Sequence, residues 1–244
     1  MQGKATAIIV AAGKGVRMNA STRKQYLHLG RIPIILHTVL LFDACPAITA
    51  IFLVVPPSDK PYCKELLARL PDRKKTCRIV TGGNSRQASV YQGLLAVEKA
   101  GMANEIVAIH DGVRPLVKPN QVESCIAVAR SKGACILAVP VPDTLKQIKK
   151  GTTDIAETLP RDDIWLAQTP QAFQYDIIRS AHDRALEAHF SGTDDAMLVE
   201  RMGIPVSVVS GSRYNIKITT REDLALAEAL LASDSNQDKT KYKT

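Results

Sequence analysis

The sequence predicts an α/β fold in which a mostly parallel, twisted sheet is covered by helices on both faces. Apolar runs of strand length alternate with helix-like segments along most of the 244 residues. Strands that alternate with helices pair in parallel, because each helix carries the chain back to the start of the next strand. Composition is that of an ordinary globular protein and no linker divides the chain, so we expect one domain over residues 1–232.

Five strands are expected in the first part of the chain, where apolar runs end at turn residues. They are Thr6–Val10, Ile48–Val55, Cys77–Val80, Ile106–Ile109 and Ala134–Val139. Helices are expected between these strands, and Pro or Ser near their starts supports the assignment. They are Ile34–Phe42, Pro61–Leu70, Arg86–Lys99 after a Ser85 cap, and Gln121–Ser131. Binding sites in such sheets lie at the carboxyl ends of the strands.

The alternation of strands and helices breaks after Pro140. Asp143–Lys149 and Asp154–Leu159 each alternate apolar and polar residues, and a turn containing Gly151 lies between them. This pattern predicts a β-hairpin, which has no helix to cover its apolar side. We therefore expect an arm over about residues 141–162 that packs against another surface, such as a second copy of the chain.

The α/β pattern resumes with a short strand at Trp165–Ala167. Two further strands are expected at Val206–Val209 and Ile216–Ile218. The remaining helices are expected at Tyr175–His189, at Asp194–Met202 after a Thr193 cap, and from a capping box at Thr220 through Leu231. The polar segment 233–244 is expected to be disordered.

The segment that follows the first strand indicates phosphate binding. It consists of small residues and then two cations: Ala11, Ala12, Gly13, Gly15, Arg17 and Lys24. Glycines let the backbone approach a ligand closely, and free amides at a helix start favour an anion. The glycines alone fit an ordinary strand-to-helix turn equally well, and they match neither the P-loop nor the dinucleotide fingerprint. The cations favour phosphate, because residues 1–42 contain six Lys or Arg and no Asp or Glu.

Composition narrows the class of partner. The net charge is +8, but the basic residues are scattered and only 5% of residues are aromatic, which favours phosphorylated small molecules over nucleic acid. The five cysteines form no CxxC pair, which is typical of free thiols in a reducing cytoplasm. No signal peptide is recognisable, and no apolar run approaches the ~20 residues that a membrane span requires.

Polar clusters follow two more of the predicted strands. Gly83, Asn84 and Ser89 could present amides and side chains to a base or ribose, or could simply form a turn and a helix cap. Asp111 could hold Mg²⁺ or a ribose and Arg114 could bind phosphate, or the two could form a loop ion pair. The adjacent His110 is expected to be a packed histidine, not a base.

Further candidates are Thr144 on the arm, Arg161 just past the hairpin strands, Thr169, and Lys217 between two isoleucines. The pattern around Lys217 fits a side chain that reaches solvent as well as one that reaches a site. No nucleophile motif such as Gly-x-Ser-x-Gly is present in the sequence. Cations, amides and one well-placed Asp suit phosphoryl or nucleotidyl transfer, in which positioning and charge stabilisation do most of the work.

Taken in order and spacing, these motifs resemble the 2-C-methyl-D-erythritol 4-phosphate cytidylyltransferase family of the sugar and polyol nucleotidyltransferases. The resemblance runs from about Ala5 to Leu231. It is carried by Ala11-Ala12-Gly13-x-Gly15-x-Arg17-Met18, Lys24-Gln25-Tyr26, Thr81-Gly82-Gly83 with Arg86 and Ser89-Val90, His110-Asp111-x-x-Arg114-Pro115, Asp143-Thr144-Leu145-Lys146, Gln168-Thr169-Pro170-Gln171, Thr193-Asp194-Asp195-Ala196 and Asn215-Ile216-Lys217-Ile218-Thr219.

The resemblance implies a Rossmann-like fold and a reaction of CTP with a polyol phosphate that uses Mg²⁺ or another divalent cation. It implies that Arg17, Lys24 and Lys217 are catalytic. It implies nucleotide binding by Ala11, Ala12, Gly13, Gly15, Gly83, Asn84 and Ser89, and substrate binding by Asp111, Arg114, Thr144, Arg161 and Thr169. Asp111 would also lie near the metal, which the CTP phosphates would mostly hold. The arm would join a homodimer, and part of each site would come from the partner subunit.

Two positions depart from the family pattern. Asn84 stands where the family more often has Asp, and Gly112-Val113 stands where two alanines are usual. The second change resembles the sister enzyme that acts on ribitol 5-phosphate, whereas Asp143-Thr144-Leu145-Lys146 and Asn215-Ile216-Lys217 favour methylerythritol phosphate. A sugar-1-phosphate enzyme is a more distant alternative. A non-catalytic nucleotide-binding module is disfavoured, because a binder needs fewer cations than Arg17, Lys24 and Lys217 supply.

Overall fold

The computed structural model describes residues 4–13, 23–70, 72–103 and 106–240, with side chains described as far as residue 233. The strands within these ranges are β1 (Ala5–Val10), β2 (His28–Leu29), β3 (Ile32–Pro33), β4 (Ile48–Val55), β5 (Thr76–Thr81), β6 (Ile106–Asp111), β7 (Ala134–Pro140), β8 (Leu145–Ile148), β9 (Ile155–Leu159), β10 (Trp165–Gln174) and β11 (Ser207–Ser210). The helices are α1 (Ile34–Ala44), α2 (Lys60–Ala68), α3 (Arg86–Lys99), α4 (Pro119–Lys132), α5 (Tyr175–Glu187), α6 (Asp195–Glu200) and α7 (Arg221–Thr240).

Seven of these strands form one sheet in the order β11-β7-β10-β6-β1-β4-β5. All run parallel except β10, which is antiparallel to both of its neighbours. After β1, strands β4 and β5 extend the sheet on one side of β1, and β6 is the first strand on its other side. A crevice at the carboxyl ends of β1 and β6 follows from that reversal. The predicted α/β class, with a mostly parallel sheet, is confirmed.

Helices cover both faces of the sheet because successive strand side chains point to opposite sides. Ile9 of β1 lies in the apolar core shared with α1, α2 and α4, and the adjacent Ile8 lies in the core shared with α3, α5 and α6. Both isoleucines are fully buried. The central strands are therefore apolar on both sides, as their unbroken hydrophobic runs predict.

The register of β1 and β6 positions the crevice residues. Ile9 pairs with His110, and Val10 pairs with Asp111. Directly after the pair, the Gly112 N–H donates to the Val10 carbonyl over 2.8 Å. The segment that begins at Ala11 therefore leaves the sheet beside the carboxylate of Asp111.

Four sequence predictions need correction. The strand expected at Trp165–Ala167 continues to Gln174, because β10 pairs with β7 and β6 on its two sides. Residues 216–218 form no strand, and the Ile218 N–H instead makes a single bond to the Val113 carbonyl. The cap of α6 is Asp194, whose carboxylate accepts the Met197 N–H; it is not Thr193.

The fourth correction concerns the end of the chain. Helix α7 continues to Thr240, past the end expected at Leu231 and into the segment expected to be disordered. Extending an existing helix fixes one residue for each hydrogen bond gained, so a polar segment can prolong it without packing. The predicted capping box is present, since the Asp223 N–H donates to Thr220 Oγ1 and the Asp223 carboxylate accepts the Thr220 N–H.

The hairpin of β8 and β9 forms a two-stranded sheet of its own. The side chains of Ile148 and Ile155 pair across it and are 47% and 55% exposed. Trp165 and Leu166, at the start of β10, are also exposed. The predicted hairpin is therefore confirmed and presents apolar side chains outward, whereas its role in dimerisation stays a prediction.

Asp43 and Lys75 connect the end of α1 to the start of β5. The Asp43 carboxylate accepts the backbone N–H groups of Lys74 and Lys75 at 2.9 and 2.8 Å. The Lys75 ammonium donates in return to the carbonyls of Phe42, Asp43 and Cys45. These bonds satisfy carbonyls that a helix end leaves without intrahelical partners.

We expect Asp43→Ala to destabilise the fold without altering the crevice. Two backbone N–H groups would lose their acceptor, a change that costs on the order of 1–3 kcal/mol each when the groups are buried. Urea denaturation at neutral pH measures the loss. Asp72→Ala is the control, because Asp72 is exposed. Equal stability of the two variants would show that the Asp43 contacts contribute little.

Candidate active site

A cleft lies at the carboxyl ends of β1, β5 and β6 and has two adjoining recesses of about 240 Å³ each. The first, here called the glycine recess, is lined among others by Ala11, Ala12, Gly13, Lys24, Gln25, Gly83, Asn84, Ser85 and Ser89. The second, the arginine recess, is lined among others by Arg114, Gln168, Thr169, Gln171, Thr193 and Asp194. Both recesses share Arg86, Asp111 and Lys217.

The floor of the glycine recess depends on close approach of two loops. A Cβ atom added at Gly82 would lie 2.6 Å from the Ala12 Cβ and 2.9 Å from Ser89 Oγ, so only glycine fits there. Ala11 is fixed to the neighbouring strand by its N–H bond to the Val54 carbonyl. The small residues therefore allow the two loops to meet and leave the recess open above them.

Ser89 builds this recess through its hydroxyl group. Ser89 Oγ accepts the Gly83 N–H at 3.1 Å and donates to the Ser85 carbonyl at 2.7 Å. The residue is 1% exposed. Ser85 caps α3 as predicted, since its side chain accepts the Ala88 N–H. Asn84, by contrast, is exposed and lines the recess, so its amide is one of the polar groups that a ligand there would meet.

Lys24 is held at the rim of the glycine recess by its two buried neighbours. Gln25 Nε2 donates to the Ala11 carbonyl at 2.8 Å, and the Tyr26 hydroxyl donates to the Asp59 carboxylate at 2.9 Å. Lys24, Gln25 and Tyr26 form one turn of 3₁₀ helix. The predicted Arg17 and Gly15 lie outside the described residues.

Three cations surround the carboxylate of Asp111. Arg86 Nε lies 3.2 Å from Oδ1, while Lys217 Nζ and Arg114 Nε lie 2.9 and 3.5 Å from Oδ2. Burial acts to raise the pKa of Asp111, but the charges of Arg86 and Lys217 outweigh it and hold that pKa well below its usual range. Asp111 is therefore a carboxylate under ordinary conditions and orients several cations toward the cleft.

A second carboxylate lies behind Arg86. Arg86 Nη1 is 2.7 Å from Asp195 Oδ2, and Asp195 Oδ1 is 3.1 Å from His182 Nε2. Asp195 and His182 are almost fully buried. Burial raises the pKa of Asp195 while the Arg86 charge lowers it, and the net direction is downward. Arg86 is thus clamped between two carboxylates that fix its plane at the junction of the recesses.

Sequence reasoning did not single out Arg86 and Asp195 as site residues. Both residues lie within motifs that carry the family resemblance, and that position in the motifs is the sequence signal that could have identified them. Their pairing joins positions that are 109 residues apart, so no local spacing could reveal it.

Thr169 supports Asp111 from the neighbouring strand. Its Oγ1 accepts the Asp111 N–H at 3.1 Å and lies 3.1 Å from His110 Nδ1, and His110 Nε2 lies 3.0 Å from the Arg114 carbonyl. His110 is fully buried against Phe42. Burial lowers the pKa of His110 to about 4. The expectation of a packed histidine is confirmed, and the lowered pKa makes it neutral near pH 7.

Thr144 and Arg161 do not line either recess. Both are exposed on the arm, where an Arg161 guanidinium N–H donates to the Pro142 carbonyl. The described part of one chain therefore assembles Lys24, Asp111, Arg114, Thr169 and Lys217 but leaves these two residues apart.

A doubly wound sheet whose switch point combines small residues, a carboxylate and several cations defines a nucleotide-binding protein that handles phosphate groups. A family model described as 2-C-methyl-D-erythritol 4-phosphate cytidylyltransferase matches residues 5–233. The chain belongs to this family, and its enzyme class is that of a cytidylyltransferase.

Relatives and solved structures agree with the family. The 2-C-methyl-D-erythritol 4-phosphate cytidylyltransferase of Geobacter metallireducens is 46% identical over 92% of this chain and 96% of its own length. The enzyme of the same name from Syntrophotalea carbinolica is 47% identical over 92% and 94%. The crystal structure of 4-diphosphocytidyl-2C-methyl-D-erythritol synthase from Anaerococcus prevotii superposes with a TM-score of 0.82 at 33% identity, covering 95% of this chain and 97% of that one.

We expect the stability of the protein to depend on pH through His110. The imidazole has its usual pKa of 6.5 in the unfolded chain and about 4 in the fold, so the unfolded chain binds the proton first as pH falls. The stabilisation is present above pH 6.5 and is lost toward pH 4, by about 3 kcal/mol at most.

Urea denaturation at several pH values measures this loss. His110→Gln should flatten the decline between the two pKa values, while His28→Gln, which changes an exposed histidine, should not. An unchanged pH slope in His110→Gln would show that other groups cause the decline.

Proposed function

We propose that the protein transfers CMP from CTP to 2-C-methyl-D-erythritol 4-phosphate, giving 4-diphosphocytidyl-2-C-methyl-D-erythritol and pyrophosphate in the non-mevalonate route to isoprenoid precursors. The observation that carries the proposal is the group of cations around Asp111 at the switch point, in a chain of this family. Phosphoryl chemistry needs such a group, because charge stabilisation and positioning supply most of its catalysis.

The reaction is an in-line displacement at the α-phosphorus of CTP. A phosphate oxygen of the polyol forms the new P–O bond while the bond to the leaving pyrophosphate breaks. Negative charge builds on the non-bridging oxygens and on the leaving group, and cations at fixed positions stabilise it. Lys24 at the rim of the glycine recess and Lys217 between the recesses supply that charge, together with Arg17.

Each of the two recesses takes one of the two substrates. The glycine recess takes the nucleotide, with the triphosphate along Ala11, Ala12 and Gly13 and the cytidine near Gly83 and Asn84. The Asn84 amide can accept as well as donate, so it can replace an aspartate toward the base or ribose. Ser89 contributes to binding of the base and ribose indirectly, because its hydroxyl holds the turn at Gly83. The arginine recess takes the polyol phosphate, where Arg114 and Arg86 face its charge.

A divalent cation such as Mg²⁺ fits this donor set only with help from the substrate. In the described ranges, no group of three or more His, Cys, Asp or Glu is arranged to hold a metal ion. Asp111 offers one carboxylate, and Mg²⁺ commonly binds one or two carboxylates plus substrate phosphates. Bound there, the ion would neutralise phosphate charge.

We expect Lys24→Ala and Lys217→Ala to lower kcat by roughly 10²-fold or more and to leave the fold intact, because both remove charge from the transition state. Steady-state rates of pyrophosphate release measure kcat, and thermal melting reports the fold. Lys132→Ala, which removes an exposed lysine at the end of α4, is the charge-matched control. Normal turnover in either variant would remove that lysine from the mechanism.

We also propose that the arm joins a homodimer and that Thr144 and Arg161 complete the polyol end of the partner's cleft. The proposal is supported by the exposed apolar side chains of the hairpin, and by the finding that neither residue lines the two recesses of its own chain. An exposed apolar hairpin favours self-association. We also propose a cytoplasmic location, which the free cysteines support because thiols stay reduced in that compartment.

Mixing two impaired variants, assayed at a polyol phosphate concentration at which each alone has little activity, tests this shared site. Lys217→Ala and Arg161→Ala chains, denatured together and refolded, should recover about a quarter of wild-type activity, because half of the dimers are mixed and each mixed dimer has one intact site. Each variant refolded alone is the control. No recovery in the mixture, with dimers present in sedimentation, would place both residues in the same subunit's site.

Pyrophosphate release with CTP and Mg²⁺ tests the function itself. Methylerythritol 4-phosphate and ribitol 5-phosphate are offered separately, with ATP, GTP and UTP as nucleotide controls. We expect turnover with methylerythritol phosphate and CTP. Preference for ribitol phosphate would assign Gly112-Val113 a specificity role and overturn the proposed substrate. Binding of CTP without turnover of either polyol would favour a non-catalytic module.

A further inference from the structure

Residues 211–218, here called the lysine segment, carry Lys217 but belong to no helix or strand. At its start, the Gly211 N–H bonds to the Ala138 carbonyl of β7, and at its end the Ile218 N–H bonds to the Val113 carbonyl. No ladder of hydrogen bonds fixes the residues between. The position of the Lys217 ammonium therefore depends on whatever side chains hold this segment.

The side-chain amides of two buried residues hold the lysine segment. Gln168 of β10 donates from Nε2 to the Ser212 carbonyl at 2.8 Å, and its Oε1 accepts the Ser212 N–H at 3.3 Å. The same Oε1 accepts a bond from Asn215 Nδ2 at 3.2 Å, and that Nδ2 donates a second bond to the Thr169 carbonyl at 2.9 Å. Gln168 is 7% exposed and Asn215 is fully buried.

The backbone of Asn215 is also held, since its carbonyl accepts a bond from Arg114 Nη1 at 2.7 Å. Asn215 thus connects the lysine segment to Thr169 and Arg114, the residues next to Asp111 in the cleft. Two residues further along the chain, Lys217 Nζ lies 2.9 Å from Asp111 Oδ2. The fit is tight, because a Cβ at Gly211 would lie 2.3 Å from Gln168 Oε1.

Stability alone does not explain this choice of residues. Asn215 Oδ1 is buried and has no hydrogen-bond partner among the described residues. Leaving a buried acceptor unpaired is costly, and an apolar side chain would avoid that cost. Hydrogen bonds are directional, whereas apolar contacts can slide, so the two amides fix the direction of the segment.

We propose that Gln168 and Asn215 are positioning residues, which clasp the lysine segment to β10 and thereby place the Lys217 ammonium for the transferring phosphate. The proposal rests on the proposed function, in which Lys217 stabilises charge in the transition state. Neither amide needs to touch a substrate for this role, because each acts through Lys217.

Gln168→Met tests the clasp, since methionine has a similar length and lacks the hydrogen-bonding groups. We expect kcat to fall roughly tenfold or more and the KM for CTP to change little, because misplaced charge is lost mainly from the transition state. Asn215→Ala should act in the same direction. Tyr175→Phe is the matched control, because it removes a buried hydroxyl that bonds to the Leu94 carbonyl away from the cleft.

A second measurement separates positioning from general destabilisation. In a Lys217→Ala background, adding Gln168→Met should cause little further loss of kcat, because the group that it positions is absent. An equal loss in both backgrounds would overturn the proposal, as would a kcat for Gln168→Met no lower than that for Tyr175→Phe. If Gln168→Met does not fold, Gln168→Glu keeps the size and the oxygen that accepts the Ser212 N–H, and it replaces the donor to the Ser212 carbonyl by an oxygen that cannot donate.

These results stay distinct from a failure of the proposed function. Normal turnover in Lys217→Ala would remove Lys217 from the mechanism and the clasp with it. Low turnover in Lys217→Ala together with normal turnover in Gln168→Met would leave the function in place and reject the clasp alone.

Discussion

The carboxylate of Asp111 is the charge on which the cleft depends. Arg86, Arg114 and Lys217 would repel one another if they lay side by side at one point, and the carboxylate between them makes their grouping stable. A polyanion that enters the cleft meets cations that are already oriented, so less reorganisation is needed when charge builds during the reaction. The cluster also connects the two recesses, because three of its residues, Arg86, Asp111 and Lys217, line both.

The backbone places this carboxylate through the register of two strands. Val10 of β1 faces Asp111 of β6, so the small-residue segment and the carboxylate leave the sheet at the same level. Behind Asp111, the antiparallel strand β10 contributes Gln168 and Thr169, which fix the lysine segment and the Asp111 N–H. A parallel crossover at that position would have brought a helix, whereas β10 arrives directly from the hairpin arm. One continuous segment of the chain therefore forms the arm and then the strand β10 that supports the cleft.

Sequence patterns could predict the helices and strands whose bounds are set by neighbouring residues in the chain. Strand β4 and helix α3 have the expected bounds, because an unbroken apolar run and a serine cap are properties of neighbouring residues. The same reasoning was wrong for Ile216–Ile218, where alternation indicated a strand but the Ile218 N–H makes a single bond to the Val113 carbonyl and joins no ladder of the described sheets. It could not find Arg86 and Asp195 as a pair either, since their contact spans two elements on one face of the sheet.

The sequence by itself determined the fold class, the carboxyl edge as the place of the candidate site, and many of the residues that line the cleft there, because these follow from periodicity and from small or charged residues after strands. Tertiary structure decided what each group does there. It turned the Ser89 hydroxyl inward to hold a turn and made His110 a buried, neutral support. It also clamped Arg86 between two carboxylates. Those outcomes depend on burial and on partners distant in sequence, and only the folded chain brings such partners within hydrogen-bonding distance.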